Sequence, residues 1–161
     1  MTKEDVCCGK FDPALWDERK VTWEDKTFVT KSVPQFLHMP LPGVYGKAIT
    51  ALMTAVDNAN ARPEIKDFLL LARDPSPWKS NLYISTTKEV PDVENVKLSG
   101  TFLAKVFDGP YQNVPKYMAE MENYATSKGE RALDYYFYYT YCPKCAEKYG
   151  HNYIVVFAKV G

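Results

Sequence analysis

A short pattern of residues occurs twice in this chain of 161 residues, each time ahead of a segment with helical periodicity. Segments 36–45 and 102–111 both begin with Phe-Leu and end with Gly-x-Tyr at the same offset. An internal repeat constrains the fold strongly, because each copy must form a similar unit. The repeat therefore predicts two structurally similar halves.

An amphipathic helix follows each copy of the pattern, since apolar residues recur at a spacing of three and four. The apolar face of the first consists of Tyr45, Ala48, Ile49, Leu52, Met53 and Val56, and that of the second of Val114, Tyr117, Met118, Met121 and Ala125. Asn113 is the expected N-cap of the second helix, where Pro115 is tolerated in the first turn.

Two strand candidates follow each helix, over Asp67–Arg73, Leu82–Thr87, Asp134–Tyr141 and Asn152–Lys159. The sequence thus predicts an α+β fold of two strand–helix–strand–strand units with pseudo-two-fold symmetry, an antiparallel sheet and both helices on one face. The units are expected over 27–90 and 98–161, joined by a linker near Val90–Lys97. Residues 1–26 are expected to form an arm that packs through Trp16 and Trp23. The seam between such units is where a small ligand is expected to bind.

Composition excludes several classes of partner. Lys and Arg number 20 and so do Asp and Glu, so no basic field favours direct binding of nucleic acid. No apolar run reaches the roughly 18 residues of a membrane span, and the N-terminus lacks an apolar signal core. We expect a soluble, cytoplasmic monomer or homodimer.

The segment Tyr135–Tyr141 has six aromatic residues in seven positions. On a strand, Tyr135, Phe137, Tyr139 and Tyr141 point to one side, and Tyr136, Tyr138 and Thr140 to the other. One interpretation is a wall of rings for a flat or apolar ligand, with phenols as hydrogen-bond donors. The alternative is an aromatic strand that only packs in the core.

The order of elements, the two Gly-x-Tyr motifs, the run 136–143 and the closing strand Tyr153–Lys159 resemble the GyrI-like family of small-molecule-binding, or effector-binding, domains. The resemblance covers residues 27–160. It implies a stand-alone ligand-binding domain, since no helix-turn-helix precedes it here, and the family also includes hydrolases that open strained rings. The family often has a glutamate where this chain has Phe137. The resemblance therefore implies that the Phe137 side faces the ligand. Phe137 itself argues against a cationic ligand and against the family's hydrolytic mechanism.

Further ligand-binding candidates come from the corresponding strand of the first unit and from the repeated motif. Leu71 and Arg73 are on the matching side of the first unit's strand. Arg73 could pair with an acidic group or a ring, or form a surface salt bridge. Tyr111 belongs to the second Gly-x-Tyr, and His38 is expected on the first strand of unit one.

Four cysteines occur as two close pairs, and the Cys142–Cys145 pair has the spacing of half a zinc knuckle. A structural zinc, a redox or regulatory thiol pair and inert turn cysteines remain alternatives. No other cofactor is expected.

The predicted function is binding of a small hydrophobic or aromatic compound, for sensing, sequestration or detoxification. One alternative is a hydrolase in which a pocket tyrosine and a carboxylate such as Glu147 position water or protonate the leaving atom. Another is a haem or tetrapyrrole carrier, because SOUL-type haem-binding proteins have a similar duplicated architecture. His38 and His151 are its available ligands.

Overall fold

The computed structural model describes residues 11–37, 39–40, 43–64, 67–140, 147 and 149–161. In chain order the elements are β1 Arg19–Phe36, β2 Met39–Pro40, α1 Val44–Asn58, β3 Leu70–Ser76, β4 Lys79–Ser85, β5 Glu94–Asp108, α2 Val114–Ser127, β6 Asp134–Tyr139 and β7 Tyr153–Lys159. A strand, a helix and two strands thus occur in that order twice, and the strands pair antiparallel. The predicted α+β class is confirmed. Neither described helix is long and apolar enough to cross a bilayer.

The chain separates into two compact units. The first unit is Trp23–Ser99, and the second unit joins Gly100–Gly161 to the described residues up to Thr22. Strand β1 begins at Arg19, inside the predicted arm, and β5 begins at Glu94, inside the predicted linker. The predicted division into an arm and two units over 27–90 and 98–161 remains a prediction.

In the first unit, β4 lies between β1 and β3. Strand β1 pairs with β4 from Phe28 opposite Ser85 to Pro34 opposite Lys79, and β3 pairs with the other edge of β4. Helix α1 packs on β4 and buries Ala48, Leu52 and Val56, which belong to the predicted apolar face. The helical periodicity therefore identified the buried face of α1.

The Phe-Leu dipeptides of the repeat do not occupy similar environments. Phe102 and Leu103 lie within β5 and are 1% and 3% exposed, whereas Phe36 and Leu37 are both 58% exposed. The chain turns at Leu37, whose φ is +48°, and β2 then pairs back onto the end of β1. Strand β1 ends at Phe36, and His38, which the sequence was expected to place on the first strand, lies outside the described residues.

In the second unit, β7 is the central strand. It pairs with β5 from Phe102 opposite Lys159 to Asp108 opposite Tyr153, and with β6 from Asp134 opposite Lys159 to Tyr139 opposite Ile154. Helix α2 covers one face of these strands. Their shared core consists of Leu103, Phe107, Tyr117, Met121, Ala125, Phe137, Ile154, Val156 and Ala158.

Helix α2 begins as the sequence predicts, directly after Asn113 and with Pro115 in its first turn. The side chain of Asn113, however, makes no capping hydrogen bond. Of the predicted apolar face, Tyr117, Met121 and Ala125 are buried, and Val114 and Met118 pack at the edge of the core. Burial of this face, more than the cap, fixes the helix on the sheet.

Candidate functional site

Three aromatic side chains of β6, those of Tyr135, Phe137 and Tyr139, are directed towards α2. We call them the aromatic row. Phe137 is 4% exposed within the core beneath α2, while Tyr135 and Tyr139 pack against the edges of that core and remain half-buried. The rings of Phe137 and Tyr139 are nearly parallel, with centroids 6.3 Å apart and planes at 17°. The row therefore has a fixed apolar centre and two accessible phenol-bearing ends.

The phenol of Tyr135 is held in its protonated form. Burial raises the pKa of this group above its usual value, and the negative charge of Glu122 raises it further. Both effects disfavour the phenolate. At neutral pH Tyr135 can therefore donate a hydrogen bond at the end of the row.

The opposite face of β6 is also aromatic. Tyr136 is 7% exposed and meets the ring of Phe102 edge-on at 5.9 Å. Tyr138 lies 6.1 Å from Phe11, which in turn lies 5.4 Å from Tyr153. Aromatic residues from outside the strand therefore contact this face.

Trp16, on the N-terminal side of β1, packs as the sequence predicts. Its indole meets the ring of Phe157 on β7 edge-on, with centroids 5.4 Å apart. Trp23 instead belongs to β1 and lies 5.9 Å from Phe28. The indole of Trp16 thus contacts β7, whereas the indole of Trp23 contacts a residue of its own strand.

A polar pair, Asp108 and His151, lies where β5 ends and β7 is about to begin. The Nδ1 atom of His151 is 2.7 Å from Oδ2 of Asp108, and the backbone N–H of Asn152 donates to Oδ1 at 2.9 Å. Burial by itself raises the pKa of Asp108, but the hydrogen bonds from His151 and Asn152 outweigh it, so the pKa lies below its usual value. The carboxylate is therefore ionised at neutral pH.

The sequence suggests His151 only as a haem ligand and gives no sign that its side chain contacts Asp108. The two residues are 43 positions apart, and no motif spacing joins them. The pairing of β5 with β7 would have indicated this contact, because it sets Asp108 opposite Tyr153, two residues after His151.

In the first unit, the tyrosine of the corresponding Gly-x-Tyr is part of a polar contact beneath α1. The hydroxyl of Tyr45 shares a hydrogen bond of 2.5 Å with Oγ of Ser80, which is 1% exposed. Burial raises the pKa of Tyr45 most strongly; the Ser80 hydrogen bond opposes this, and the charge of Asp74 adds to it. Tyr45 therefore stays protonated and ties α1 to β4.

The other predicted site residues are dispersed or lie outside the described part of the chain. On β3 of the first unit, Leu71 is fully buried and Arg73 is half-buried. His38, Tyr141, Cys142 and Cys145 lie outside the described residues, as does the side chain of Tyr111. The ligand-binding set therefore remains a prediction, of which Tyr135, Phe137 and Tyr139 share one face of β6.

The predicted zinc and haem also remain predictions. No three potential metal-ligating side chains cluster within the described ranges, which do not include the predicted cysteine ligands. Of the two predicted haem ligands, only His151 is described, and its Nδ1 atom is hydrogen-bonded to Asp108.

A cavity of about 410 Å³ in the first unit contains none of the predicted site residues. It is lined by Thr27, Glu89, Asn95, Val96 and Lys97. These side chains are mostly polar and none is aromatic, whereas pockets for apolar molecules are lined mainly by apolar and aromatic groups. The aromatic row is the better candidate for an apolar ligand.

Comparison with known proteins gives one sequence family and several similar folds. A family described as bacterial hydrolase matches residues 1–160. No curated protein sequence matches the chain significantly. A hydrolase from Listeria innocua is 14% identical, with a TM-score of 0.64 over 91% of this chain and 93% of that one. The EcmrR C-terminal domain is 11% identical, with a TM-score of 0.67 over 89% and 96% of the two chains. SAV2435, solved bound to tetraphenylphosphonium, is 12% identical, with a TM-score of 0.55 over 89% and 93%.

At these identities the structural similarity concerns the fold alone. The similar structures include GyrI-like folds, which confirms the part of the predicted resemblance that concerns architecture. Membership of the GyrI-like family itself remains a prediction.

Proposed function

The chain belongs to the bacterial hydrolase family, and we propose that it binds a small apolar or aromatic molecule on the aromatic row, for sensing, sequestration or detoxification. The observation that carries the proposal is the half-burial of Tyr135 and Tyr139 on either side of Phe137. A row that served only the core would be covered along its whole length. Here the two outer rings keep surface on which a flat molecule can stack.

We propose that the ligand is neutral. SAV2435, which is similar in fold, was solved with tetraphenylphosphonium, an aromatic cation. A buried or half-buried site for a cation needs a compensating negative charge. At the centre of this row stands Phe137, and the acidic group that acts on Tyr135 is Glu122, on the exposed surface of α2. Ring stacking and a phenol donor suit a neutral aromatic molecule with an acceptor oxygen.

Two probes of similar shape separate these properties. Triphenylphosphine oxide is neutral and has an acceptor oxygen, whereas tetraphenylphosphonium is cationic and has none. By isothermal titration calorimetry, we expect the oxide to bind the more tightly. Replacing Tyr139 by Ala should weaken its binding about two- to twelvefold, since one aromatic pair contributes about 0.5–1.5 kcal/mol and 1.4 kcal/mol is a factor of ten.

Tyr138→Ala is the matched control, because Tyr138 is also a half-buried tyrosine of β6 but is directed to the opposite face. We expect it to leave the affinity for the oxide unchanged. Equal losses from Tyr138→Ala and Tyr139→Ala, or a loss from Tyr138→Ala alone, would refute the assignment of the ligand to the α2 side. Tighter binding of the phosphonium ion would refute the preference for a neutral ligand.

The second candidate function is hydrolysis of such a molecule, which family membership favours. The protonated phenol of Tyr135 beside the carboxylate of Glu122 supplies a donor and an acceptor at the edge of the row. Glu147, the carboxylate suggested by the sequence, is exposed. Mass spectrometry of a compound incubated with the protein tests this candidate. Binding leaves the mass of the compound unchanged, whereas hydrolysis adds one water to an opened ring or gives two fragments whose masses sum to the compound plus one water.

A further inference from the structure

The contact between Asp108 and His151 differs from an ordinary surface ion pair in how firmly it is held. The two side chains are 44% and 49% exposed, and exposed pairs are usually weak because both partners move freely. Here the second oxygen of Asp108 accepts the N–H of Asn152 at 2.9 Å. The ring of His151 stacks on Tyr153, with centroids 4.9 Å apart and planes at 12°. Each member of the pair is therefore fixed from a second direction.

Asn152 supports this arrangement from beneath. Its side-chain amide donates to the carbonyl oxygen of Gly109 at 2.7 Å, which ties the residue after His151 to the residue after Asp108. Its own Oδ1 atom is buried and accepts no hydrogen bond from any residue that the structure describes.

The contact with Asp108 determines which nitrogen of His151 can act as a base. An ionised carboxylate accepts hydrogen bonds but donates none, so the proton of the neutral imidazole resides on Nδ1. The lone pair is then on Nε2, at the end of the ring away from Asp108. A carboxylate that holds a histidine in one tautomer orients its other nitrogen for general-base catalysis.

We propose that His151 is a general base for ester hydrolysis and that Asp108 is its positioning residue. In this reaction Nε2 of His151 takes a proton from water, and the oxygen of that water attacks the carbonyl carbon of an aromatic ester. The bond from that carbon to the ester oxygen then breaks, its electron pair leaves with the phenolate, and the proton on Nε2 passes to the phenolate or to solvent. The products are the carboxylic acid and the phenol.

The class of substrate follows from the rings beside the pair. Tyr153 stacks on His151, and Phe11 lies next to Tyr153, so a flat apolar group can pack beside the base. This proposal shares only the reaction class, hydrolysis, with the second candidate function, and it does not use Tyr135 or Glu122. It is independent of ligand binding on the aromatic row, because Phe11 and Tyr153 lie with Tyr138 on the opposite face of β6.

Hydrolysis of 4-nitrophenyl acetate tests the proposal, with release of 4-nitrophenolate as the signal. Wild type is expected to exceed an equal concentration of free imidazole by about 100-fold or more, and His151→Ala to lose that excess, since general bases contribute about 100- to 10,000-fold. Added imidazole should restore part of the His151→Ala rate, above the rate that the same concentration of imidazole gives without protein. A purely structural role for His151 would not give such rescue.

Asp108→Asn should lower kcat about tenfold or more and leave KM unchanged, because the residue orients the base and does not bind the ester. Asp57→Asn is the matched control, since Asp57 is a similarly exposed carboxylate in an ion pair with Arg62. A rate that survives His151→Ala would overturn the assignment of the base and leave hydrolysis standing. A wild type no faster than free imidazole would overturn ester hydrolysis at the Asp108–His151 pair, while calorimetry on the aromatic row would still report separately on ligand binding.

Discussion

The glycine of the second Gly-x-Tyr leaves room for a tyrosine hydroxyl. A Cβ atom built on Gly109 would collide with the hydroxyl oxygen of Tyr117, while the ring carbon that bears this hydroxyl would lie 3.5 Å away, at ordinary van der Waals distance. Tyr117 cannot move aside easily, because it is 6% exposed and its ring stacks on Phe107 at a centroid distance of 4.8 Å. The conflict therefore concerns one atom, the hydroxyl oxygen.

This geometry predicts a specific coupling between two substitutions. The φ of Gly109 is not left-handed, so Gly109→Ala should cost nothing in the backbone and, without a collision, would stabilise the chain by about 0.4–1 kcal/mol. With the Tyr117 hydroxyl present, we expect Gly109→Ala to lower the free energy of unfolding by about 1–3 kcal/mol, the usual cost of overpacking. Tyr117→Phe alone removes only a weak hydrogen bond of 3.4 Å to the carbonyl of Pro110 and should cost under about 1 kcal/mol.

Urea unfolding of wild type, both single variants and the double variant measures this coupling. In the Tyr117→Phe background, Gly109→Ala should be neutral or stabilising, which gives an interaction free energy of about 1–3 kcal/mol. In thermal melts 1 kcal/mol corresponds to about 2–4 °C for a chain of this size. If the effects of the two substitutions on the free energy of unfolding are additive, the Tyr117 hydroxyl is not what excludes the methyl group at position 109.

Three further predictions concern stability. The hydrogen bond from Arg62 lowers the pKa of Asp57 below its ordinary 3.8. The pair therefore stabilises the fold fully above about pH 3.8, and this stabilisation is lost as the pH falls through the lowered pKa of Asp57. Arg62→Gln should therefore cost under about 1 kcal/mol at pH 7, since both partners are exposed, and nothing at pH 2 by urea unfolding. Gly100→Ala should cost about 1–3 kcal/mol, because φ is +143° and a Cβ would lie 2.7 Å from the carbonyl oxygen of Gly161; a neutral melt would contradict this. Phe137→Ala should cost about 3–5 kcal/mol by leaving a cavity under α2, and a cost below 1 kcal/mol would show that its ring does not fill the core.

The helices and the closing strands could be predicted because their side-chain periodicity is local. Burial of Leu52 and Val56, and of Met121 and Ala125, follows directly from a spacing of three and four residues. The first half of the long strand β1 was not predicted, because the sequence was expected to form an arm up to residue 26. Charged residues dominate there, and only the alternation of Val21 and Trp23 with exposed neighbours indicates a strand. Identical residues in the two copies of the repeat also did not occupy similar environments.

The failed match of Phe36 with Phe102 has a physical cause. Both residues precede a Gly-x-Tyr by the same number of positions, but the left-handed turn at Leu37 ends β1 early, while β5 continues to Asp108. The path of the chain between a strand and a helix depends on such single backbone conformations, and one sequence gives little indication of them. The fold class survives this error because it depends on element order alone.

The candidate site was predictable only as far as strand periodicity extends. That Tyr135, Phe137 and Tyr139 share a side follows from the period of two. Which side α2 covers could not be deduced from this strand alone, since Phe137 on one side and Tyr136 on the other are both aromatic and both buried. The Asp108–His151 pair needed the register of β5 against β7, which is a property of the folded chain.

The aromatic row and the Asp108–His151 pair lie on opposite faces but at the same end of the second unit's strands. Tyr139 is the last residue of β6 and lies opposite Ile154, while Asp108 is the last residue of β5 and lies opposite Tyr153. A molecule that extended around this end could contact both, whereas two separate molecules would each contact one. In hydrolysis of 4-nitrophenyl acetate, we therefore expect Tyr139→Ala to leave kcat/KM unchanged in both the wild-type and the Asp108→Asn background, because an ester this small reaches only one face. A fall in kcat/KM from Tyr139→Ala that disappears in the Asp108→Asn background would instead show one continuous site, and would contradict the separation of binding from chemistry argued from the two faces.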